Sequence, residues 1–444
     1  MTSRYIEIRP DNVPSDGKIS FKNGFPVMSF TISAQDGLLD PRSVRVCGRF
    51  QAFKDNLATP TPIVDGDALT MNNRLGIYNV VDALTIRSQK SALICESIRH
   101  YSKFMNTYLS LTSSLQDQVG HLSQTCLIQP NAETFRKSVM NNASTTAPQT
   151  NSFSAHLPCG FLQSGNMVNL RQDAFGGVQI EIQLTPDANV LYNTNGSSLG
   201  VEDAHYQLSD IKLICEVQDI DADALRSGED TGMYEFNSIT SLYTSINSTN
   251  AQLQYNLALR NVLSAFVSFV PVANINTLTQ DGQTTTYPSG VGTDNNQIAN
   301  ISRVQFLKGG SKYPADFDYV NSYDAVNNPT PMPDPQIVKG LYDAVVPDGT
   351  SHKYSISPVN MNRNYDLSNT AASQTSYTQI AEGGSVMGLG TRYGLGGAGE
   401  DFSTEQWGLS VESEHTADNP VGAYIFVKAK AQLVFSPNGV QLLM

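Results

Sequence analysis

The chain has 444 residues and a formal net charge of −13, and only 16% of its residues are charged, against roughly 25% in typical soluble domains. The acidic balance and the lack of any Lys/Arg run argue against a protein that binds nucleic acid through phosphate contacts. Asn, Gln, Ser and Thr replace the missing charges, which suits a surface covered by copies of itself, because a buried amide or hydroxyl needs only a hydrogen bond. The length favours two β-sandwich domains of about 200 residues each.

The cysteines and the hydropathy pattern indicate the compartment. All five cysteines fall in the first half, at wide spacing and without a Cys-x-x-Cys motif: Cys47, Cys95, Cys126, Cys159 and Cys215. This pattern predicts buried free thiols rather than a zinc site or a disulfide framework. The sequence begins without an apolar run of signal-peptide length and has no apolar run of 18 residues. We therefore expect a protein made in the cytosol, with no transmembrane segment.

In the first half, short strands alternate with polar loops. Strands are predicted at 5–8, 18–22, 26–32, 43–50, 80–86, 152–157, 176–184 and 206–219. The last of these is the clearest: Ile211, Leu213, Cys215 and Val217 alternate with polar residues, as in a half-buried strand.

The spacing of apolar residues changes in residues 94–108. Ile94, Ile98, Tyr101, Met105 and Tyr108 recur at steps of four and three, which predicts a helix over about 89–112 that packs on its own sheet. The Ser/Thr/Asn/Gln-rich residues 113–150 are predicted to form an irregular excursion.

The second half has a similar arrangement. Strands are predicted at 251–259, 262–270, 302–307, 353–356, 407–413 and 427–435, with loops at 274–300 and 325–336 and a short helix within 233–250. The pattern predicts an all-β protein of two tandem antiparallel sandwiches of jelly-roll or related Greek-key type, with one helix inserted in the first. We expect the first sandwich at 1–222, a short linker at 223–250 and the second sandwich at 251–444.

The sequence matches catalytic, cofactor-binding and metal-binding motifs only weakly. Residues 394–399 match G-x-G-x-x-G, but an acidic segment and a strand follow instead of a helix. Residues 196–200 match G-x-S-x-G, but they lie in an Asn/Gly/Ser loop rather than a strand-to-helix turn. The six histidines form no H-x-H, H-x-x-x-H or H-E-x-x-H motif. We therefore predict no enzyme and no catalytic, cofactor-binding or metal-binding residues.

Several stretches resemble the double jelly-roll major capsid proteins of icosahedral double-stranded DNA viruses, of the polinton-like virus and virophage type. The resemblance rests on the order and spacing of residues 153–162, 176–184, 206–213, 306–314, 401–413, 424–428 and 438–440. Structural turn candidates within these stretches are Gly176, Gly177, Gly309, Gly310, Tyr313, Pro314 and Gly439. The helix after residue 86 is similar in placement.

The resemblance implies a structural viral protein with no cofactor. It implies a homotrimeric, pseudo-hexameric capsomer that tiles a shell, with neighbouring trimers, a penton protein and minor capsid proteins as partners, located in the virion and assembled inside the host cell. Three alternatives stay open at this point. They are a carbohydrate-binding tandem of β-sandwiches, a jelly-roll enzyme, and a single jelly-roll capsid protein with a projecting domain.

Overall fold

The computed structural model describes most of both halves of the chain. The described residues are 3–64, 69–72, 75–113, 117–118, 120–129, 139–140, 151–172, 174–193, 203–219, 232–272, 301–324, 328–333, 335–346, 389–393, 398–413, 416–436 and 439–444. The strand predicted at 353–356 lies outside them, and so does the whole of the loop predicted at 274–300.

Where the structure describes it, the first half contains twelve strands and three helices. The strands are β1 Ser3–Ile8, β2 Lys18–Ile19, β3 Val27–Ser33, β4 Leu38–Phe53, β5 Leu69–Thr70, β6 Val81–Ser88, β7 Ile94–Arg99, β8 Asn151–His156, β9 Val168–Asn169, β10 Gly177–Leu184, β11 Tyr192–Asn193 and β12 His205–Gln218. The helices are α1 Tyr101–Thr112, α2 His121–Thr125 and α3 Asp187–Val190, and 3-10 turns span Ala34–Asp36 and Gly76–Val80.

The second half contains eleven strands and one helix within the described residues. The strands are β13 Gly232–Ile246, β14 Asn250–Tyr255, β15 Val262–Pro271, β16 Ile301–Lys308, β17 Ser311–Lys312, β18 Tyr319–Asp324, β19 Asn328–Pro333, β20 Leu389–Arg392, β21 Trp407–Ser413, β22 Val421–Ser436 and β23 Gly439–Leu443. The helix is α4 Pro335–Val345.

Each half forms two antiparallel sheets. In the first half the strand orders are β1-β12-β4-β8 and β3-β10-β6-β7. In the second half they are β13-β22-β15-β20 and β14-β21-β16-β18, with β19 added beyond β18. The remaining short strands extend these sheets, apart from β5 and β11, which pair with each other.

Strand β10 shows how the sequence determines these sheets. Ile180 lies between Phe30 on β3 and Ile86 on β6, and all three side chains are fully buried. The intervening Gln179 and Glu181 point to the opposite face, as the alternation of the sequence predicts. Because a slip of one residue would exchange the two faces, the register of this sheet is strongly specified.

Strand β12 is central to the other sheet of the first half, where it pairs with β1, β2 and β4. Its buried residues Leu208 and Ile211 are three positions apart, which breaks strict alternation. A bulge between Ser209 and Lys212 absorbs the extra residue, with Asp210 at φ 52°. The alternation predicted from Ile211 onward is confirmed by the burial of every second side chain.

Three expectations about local structure are wrong. Residues 94–99 form strand β7 beside β6, and the helix begins only at Tyr101, because His100 adopts a left-handed conformation with φ 55° that ends the strand. Residues 233–250 contain strand β13 rather than a linker helix, since Tyr234 and Phe236 alternate into the core while the whole strand pairs with β22. The loop expected at 325–336 contains β19, which pairs with β18, and the start of α4.

These pairings bear on the division of the chain. Because β13 belongs to a sheet of the second half from Gly232 onward, we propose that the second sandwich begins by that residue and that the linker is shorter than 223–250. The helix inserted in the first sandwich is confirmed as α1, and α4 is a further helix in the second sandwich that the sequence did not indicate.

Trp407, the only tryptophan of the sequence, is fully buried in the second sandwich. Its indole Nε1–H donates to the hydroxyl of the buried Tyr393 at 2.8 Å. We expect Tyr393→Phe to lower the free energy of unfolding by about 1–3 kcal/mol, because the indole donor would then be buried without a partner. Chemical denaturation followed by tryptophan fluorescence measures this, and Tyr5→Phe, at a residue 65% exposed, is the control. Equal stability of both variants would contradict the expectation.

Candidate functional site at the seam between the sandwiches

The two sandwiches meet along two edge strands. Strand β7 is the last strand of its sheet in the first sandwich, and β13 is the first strand of its sheet in the second. The two strands lie side by side, but no backbone ladder joins them within the described residues. We call this contact, together with α1 and residues 158–164 on one side and β22 on the other, the seam.

The carboxylate of Glu96 on β7 bridges the seam. Its Oε1 accepts the backbone N–H of Ile239 on β13 at 2.7 Å and that of Gly160 at 3.1 Å. Its Oε2 accepts the N–H of Phe161 at 2.7 Å. Glu96 therefore satisfies donors of both sandwiches where two sheet edges would otherwise be left unpaired.

Burial governs the electrostatics of Glu96. Its side chain is 3% exposed, and loss of hydration raises the pKa of its carboxyl from 4.5 to about 7. The three backbone N–H groups and the thiol of Cys159 act in the opposite direction. Desolvation prevails because the described partners include no cation.

Further polar contacts cross the seam. The hydroxyl of Tyr234 donates to the carbonyl of Phe161 at 2.6 Å, and that of Ser164 donates to the carbonyl of Glu235 at 2.8 Å. At the other end, the N–H of Arg99 donates to the hydroxyl of Ser241 at 2.8 Å. Side chains thus replace a continuous sheet ladder between the sandwiches.

Aromatic side chains fill the apolar part of the seam. Phe104 on α1 lies 5.6 Å from Phe426 and 6.1 Å from Phe266, measured between ring centroids. Phe175 of the first sandwich meets Phe435 of the second at 5.4 Å, edge to face. These rings are buried, so the hydrophobic core continues from one sandwich into the other.

Gly160 permits the closest backbone approach. A Cβ at this position would lie 1.8 Å from the carbonyl oxygen of Asn237 on β13. A side chain of any kind would force the backbones apart, so the position requires glycine for steric reasons.

A groove of about 1030 Å³ lies at the seam. Gly160, Asn237 and Ile239 line it, and two of them, Gly160 and Ile239, donate their backbone N–H groups to Glu96. Arg260 and Lys430 are on its wall as well.

The predicted turn residues lie elsewhere. Gly309 and Gly310 connect β16 to β17 with φ of 56° and 84°, and the peptide bond between Tyr313 and Pro314 is cis. The Tyr313 hydroxyl donates to Glu400 at 2.7 Å.

In the first sandwich, Gly176 precedes β10 and Gly177 is its first residue, with φ of 68° and 105°. Gly439 opens β23 with φ of 150°. The structure does not gather these residues into one site, and their assignment as the structural turns of the chain stays a prediction.

Sequence reasoning missed Glu96. It placed this residue on the polar face of a helix over 89–112, where a carboxylate is solvated. A strand signal was available: Glu96 and Ile98 are two residues apart, so they share one face of a strand, and both are buried on β7.

The motifs considered for chemistry add no site. Residues 196–200 and 394–397 lie outside the described part of the chain. In the part that the structure covers, no group of three or more His, Cys, Asp or Glu side chains could hold a metal ion. No described helix is long and apolar enough to cross a membrane.

Strand pairing decides the topology. With the eight principal strands of each sandwich counted in chain order, the first pairs with the eighth, the second with the seventh, the third with the sixth and the fourth with the fifth. This order results when one long hairpin is rolled around a barrel, which is the jelly roll. Both halves follow it. The chain is a double jelly roll.

Comparison with solved structures agrees over the whole length. The Faustovirus major capsid protein superposes with a TM-score of 0.60 at 10% identity, covering 98% of this chain and 90% of that one. The PBCV-1 virus capsid gives 0.56 at 13% identity, covering 100% and 96%, and the structure of the Sputnik virophage gives 0.56 at 9% identity, covering 100% and 88%. No protein-family model and no curated protein matches the sequence. The predicted double jelly-roll fold is therefore confirmed.

Proposed function

We propose that this double jelly roll is the major capsid subunit of an icosahedral double-stranded DNA virus. The observation that carries the proposal is the fused pair of jelly rolls with identical strand pairing, which matches the Faustovirus major capsid protein along 98% of the chain. The protein acts as a structural component of the virion and is assembled inside the host cell.

The proposed assembly unit is a homotrimer. Three copies of a chain with two similar jelly rolls present six similar walls, which gives a pseudo-hexagonal capsomer able to tile a flat shell. Such a wall must transmit force between its two halves. The seam supports this role, since buried aromatic rings and the Glu96 hydrogen bonds couple the jelly rolls.

Composition supports the proposed partners. A surface rich in Asn, Gln, Ser and Thr can be buried against copies of itself without leaving unpaired charges. The net charge of −13 fits a shell that does not adhere to its own genome, and sequence-specific binding of nucleic acid is not part of the proposal. Neighbouring trimers, a penton protein and minor capsid proteins are the proposed partners.

The alternatives receive less support. A carbohydrate-binding sandwich stacks exposed aromatic rings on sugars, but the indole of Trp407 is fully buried against Tyr393. A single jelly roll with a projecting domain would give the second half a different topology, whereas both halves share one pairing order.

Self-association tests the proposal. We expect light scattering after size exclusion to give a mass near three chains or that of a much larger shell, and electron microscopy to show six-lobed particles. A monodisperse monomer at high concentration would contradict the capsid role. Glycan binding by that monomer would then favour the carbohydrate-binding alternative.

A further inference from the structure

Glu96 is a buried carboxyl whose hydrogen-bond partners come from both jelly rolls. Its described partners are the N–H groups of Gly160 and Phe161 in the first jelly roll, that of Ile239 in the second, and the Cys159 thiol. No cation is among them. An ionised carboxylate in this place is held only by dipoles, while a neutral carboxyl escapes the desolvation cost.

The titratable groups that face Glu96 do not change charge near neutral pH. They are the thiols of Cys95 and Cys159 and the phenols of Tyr101 and Tyr234. Burial raises the pKa of Cys95 to about 12 and raises the pKa values of the other three as well. Among these groups, the Glu96 carboxyl alone titrates close to neutrality.

The groove lies beside the hydrogen-bond partners of this carboxyl. Two of its three N–H donors, those of Gly160 and Ile239, belong to residues on the groove wall. The charged residues lining the same groove are Glu235, Arg260, Lys428 and Lys430. A small local movement of Gly160 or Ile239 would therefore be enough to expose the carboxyl to the groove.

We propose that Glu96 is a pH-dependent clasp that holds the two jelly rolls together most firmly when its carboxyl is protonated. In the neutral form the acid still accepts backbone N–H bonds, and the thiol of Cys159, already in hydrogen-bond contact, can accept its O–H. Ionisation leaves a negative charge buried between the jelly rolls without a cation. The clasp then weakens, and the edge of β13 loosens from β7.

The direction of the pH dependence follows from the difference in the pKa of Glu96 between the closed seam and the hydrated state. Glu96 has a pKa of about 7 in the closed seam against the ordinary 4.5 of a hydrated glutamate, so the closed seam binds the proton more tightly. Its stabilising contribution is complete below pH 4.5 and is lost as the pH rises to about 7. The inference concerns the isolated chain and holds whether or not the chain builds a shell.

Hydrogen exchange at the seam tests the clasp. After correction for the intrinsic exchange rate, we expect protection of the Ile239 amide to fall by at least about tenfold between pH 5 and pH 8 in the native protein. Amides at the centre of β10, inside the first jelly roll, should not follow this change. Protection at Ile239 that is independent of pH would overturn the proposal.

Two variants distinguish the titration of Glu96 from a loosening of the seam that does not depend on pH. Glu96→Gln should remove the pH dependence at Ile239. Ser241→Ala deletes a seam acceptor that does not titrate, the hydroxyl that receives the Arg99 N–H. It should lower protection at every pH and keep the pH dependence. A Glu96→Gln protein that retains the full dependence would refute the role of Glu96.

An infrared measurement covers the case in which Glu96→Gln does not fold. Asp187 is another buried acid, enclosed within the first jelly roll, and burial raises its pKa to about 6. In Asp187→Asn, the carbonyl stretch of a protonated carboxyl should persist at pH 6 and disappear by pH 8. Its absence at pH 6 would overturn the proposal. The mass of the particle tests the capsid role separately.

Discussion

Replacing Gly160 by alanine is expected to lower the free energy of unfolding by at least about 3 kcal/mol and to separate the unfolding of the two jelly rolls. The added Cβ would lie 1.8 Å from the Asn237 carbonyl oxygen, 2.5 Å from its carbonyl carbon and 3.0 Å from Glu96 Oε1. Two of these atoms belong to the backbone of a paired strand and cannot rotate away. The clash is therefore relieved only if β13 moves from β7, which also breaks the Ile239 hydrogen bond.

Differential scanning calorimetry and denaturant titration would measure this loss. Gly165→Ala is the matched control, because a Cβ at that position of the same segment meets nothing within 4 Å. We expect it to change stability by less than about 0.5 kcal/mol. A Gly160→Ala protein as stable as the control, with one cooperative transition, would contradict the close approach at the seam.

Truncation of Phe104 to alanine is expected to cost about 3–5 kcal/mol. The ring is 1% exposed and packs against Phe266 and Phe426 across the seam and against Tyr101 and Tyr108 on its own helix. These partners come from α1 and from two paired strands of the other jelly roll, so the cavity cannot close by movement of one element. The loss should appear as weaker coupling of the two jelly rolls.

The midpoint and slope of urea unfolding would quantify this cost. Phe317→Ala removes a ring that is 47% exposed, and it should cost far less. If Phe104→Ala and Phe317→Ala destabilised the protein equally, α1 would not anchor the second jelly roll as described. Phe104→Leu should recover much of the stability, since most of the volume is retained.

The spacing of apolar residues in the sequence predicted those strands and helices whose spacing fits only one type of secondary structure. Strand β10 alternates strictly and β12 does so from Ile211 onward, while Tyr101, Met105 and Tyr108 follow the helical spacing of α1. Both periods could therefore be recognised in the sequence without knowledge of the partner strands. The two-sandwich architecture followed from the number and spacing of such strands.

Other elements depend on distant partners. Tyr234 and Phe236 give β13 only a short alternating signal, followed by Ser and Thr residues. What makes this segment a strand is its pairing with β22, near the other end of the chain. Residues 94–98 satisfy both a helical step of four and a strand period of two, and pairing with β6 decides between them. Glu96 was missed for the same reason, because its donors come from remote segments.

The pairing of first strand with last has a consequence for synthesis on the ribosome. Strand β1 needs β12 and β13 needs β22, so neither jelly roll can close until the final strand of its own half has emerged. Closure of the second must wait for residues close to the end of the sequence. These long-range contacts make folding slow. A nascent chain therefore exposes the unpaired edges of β1 and β13 until translation has passed β12 and β22, respectively.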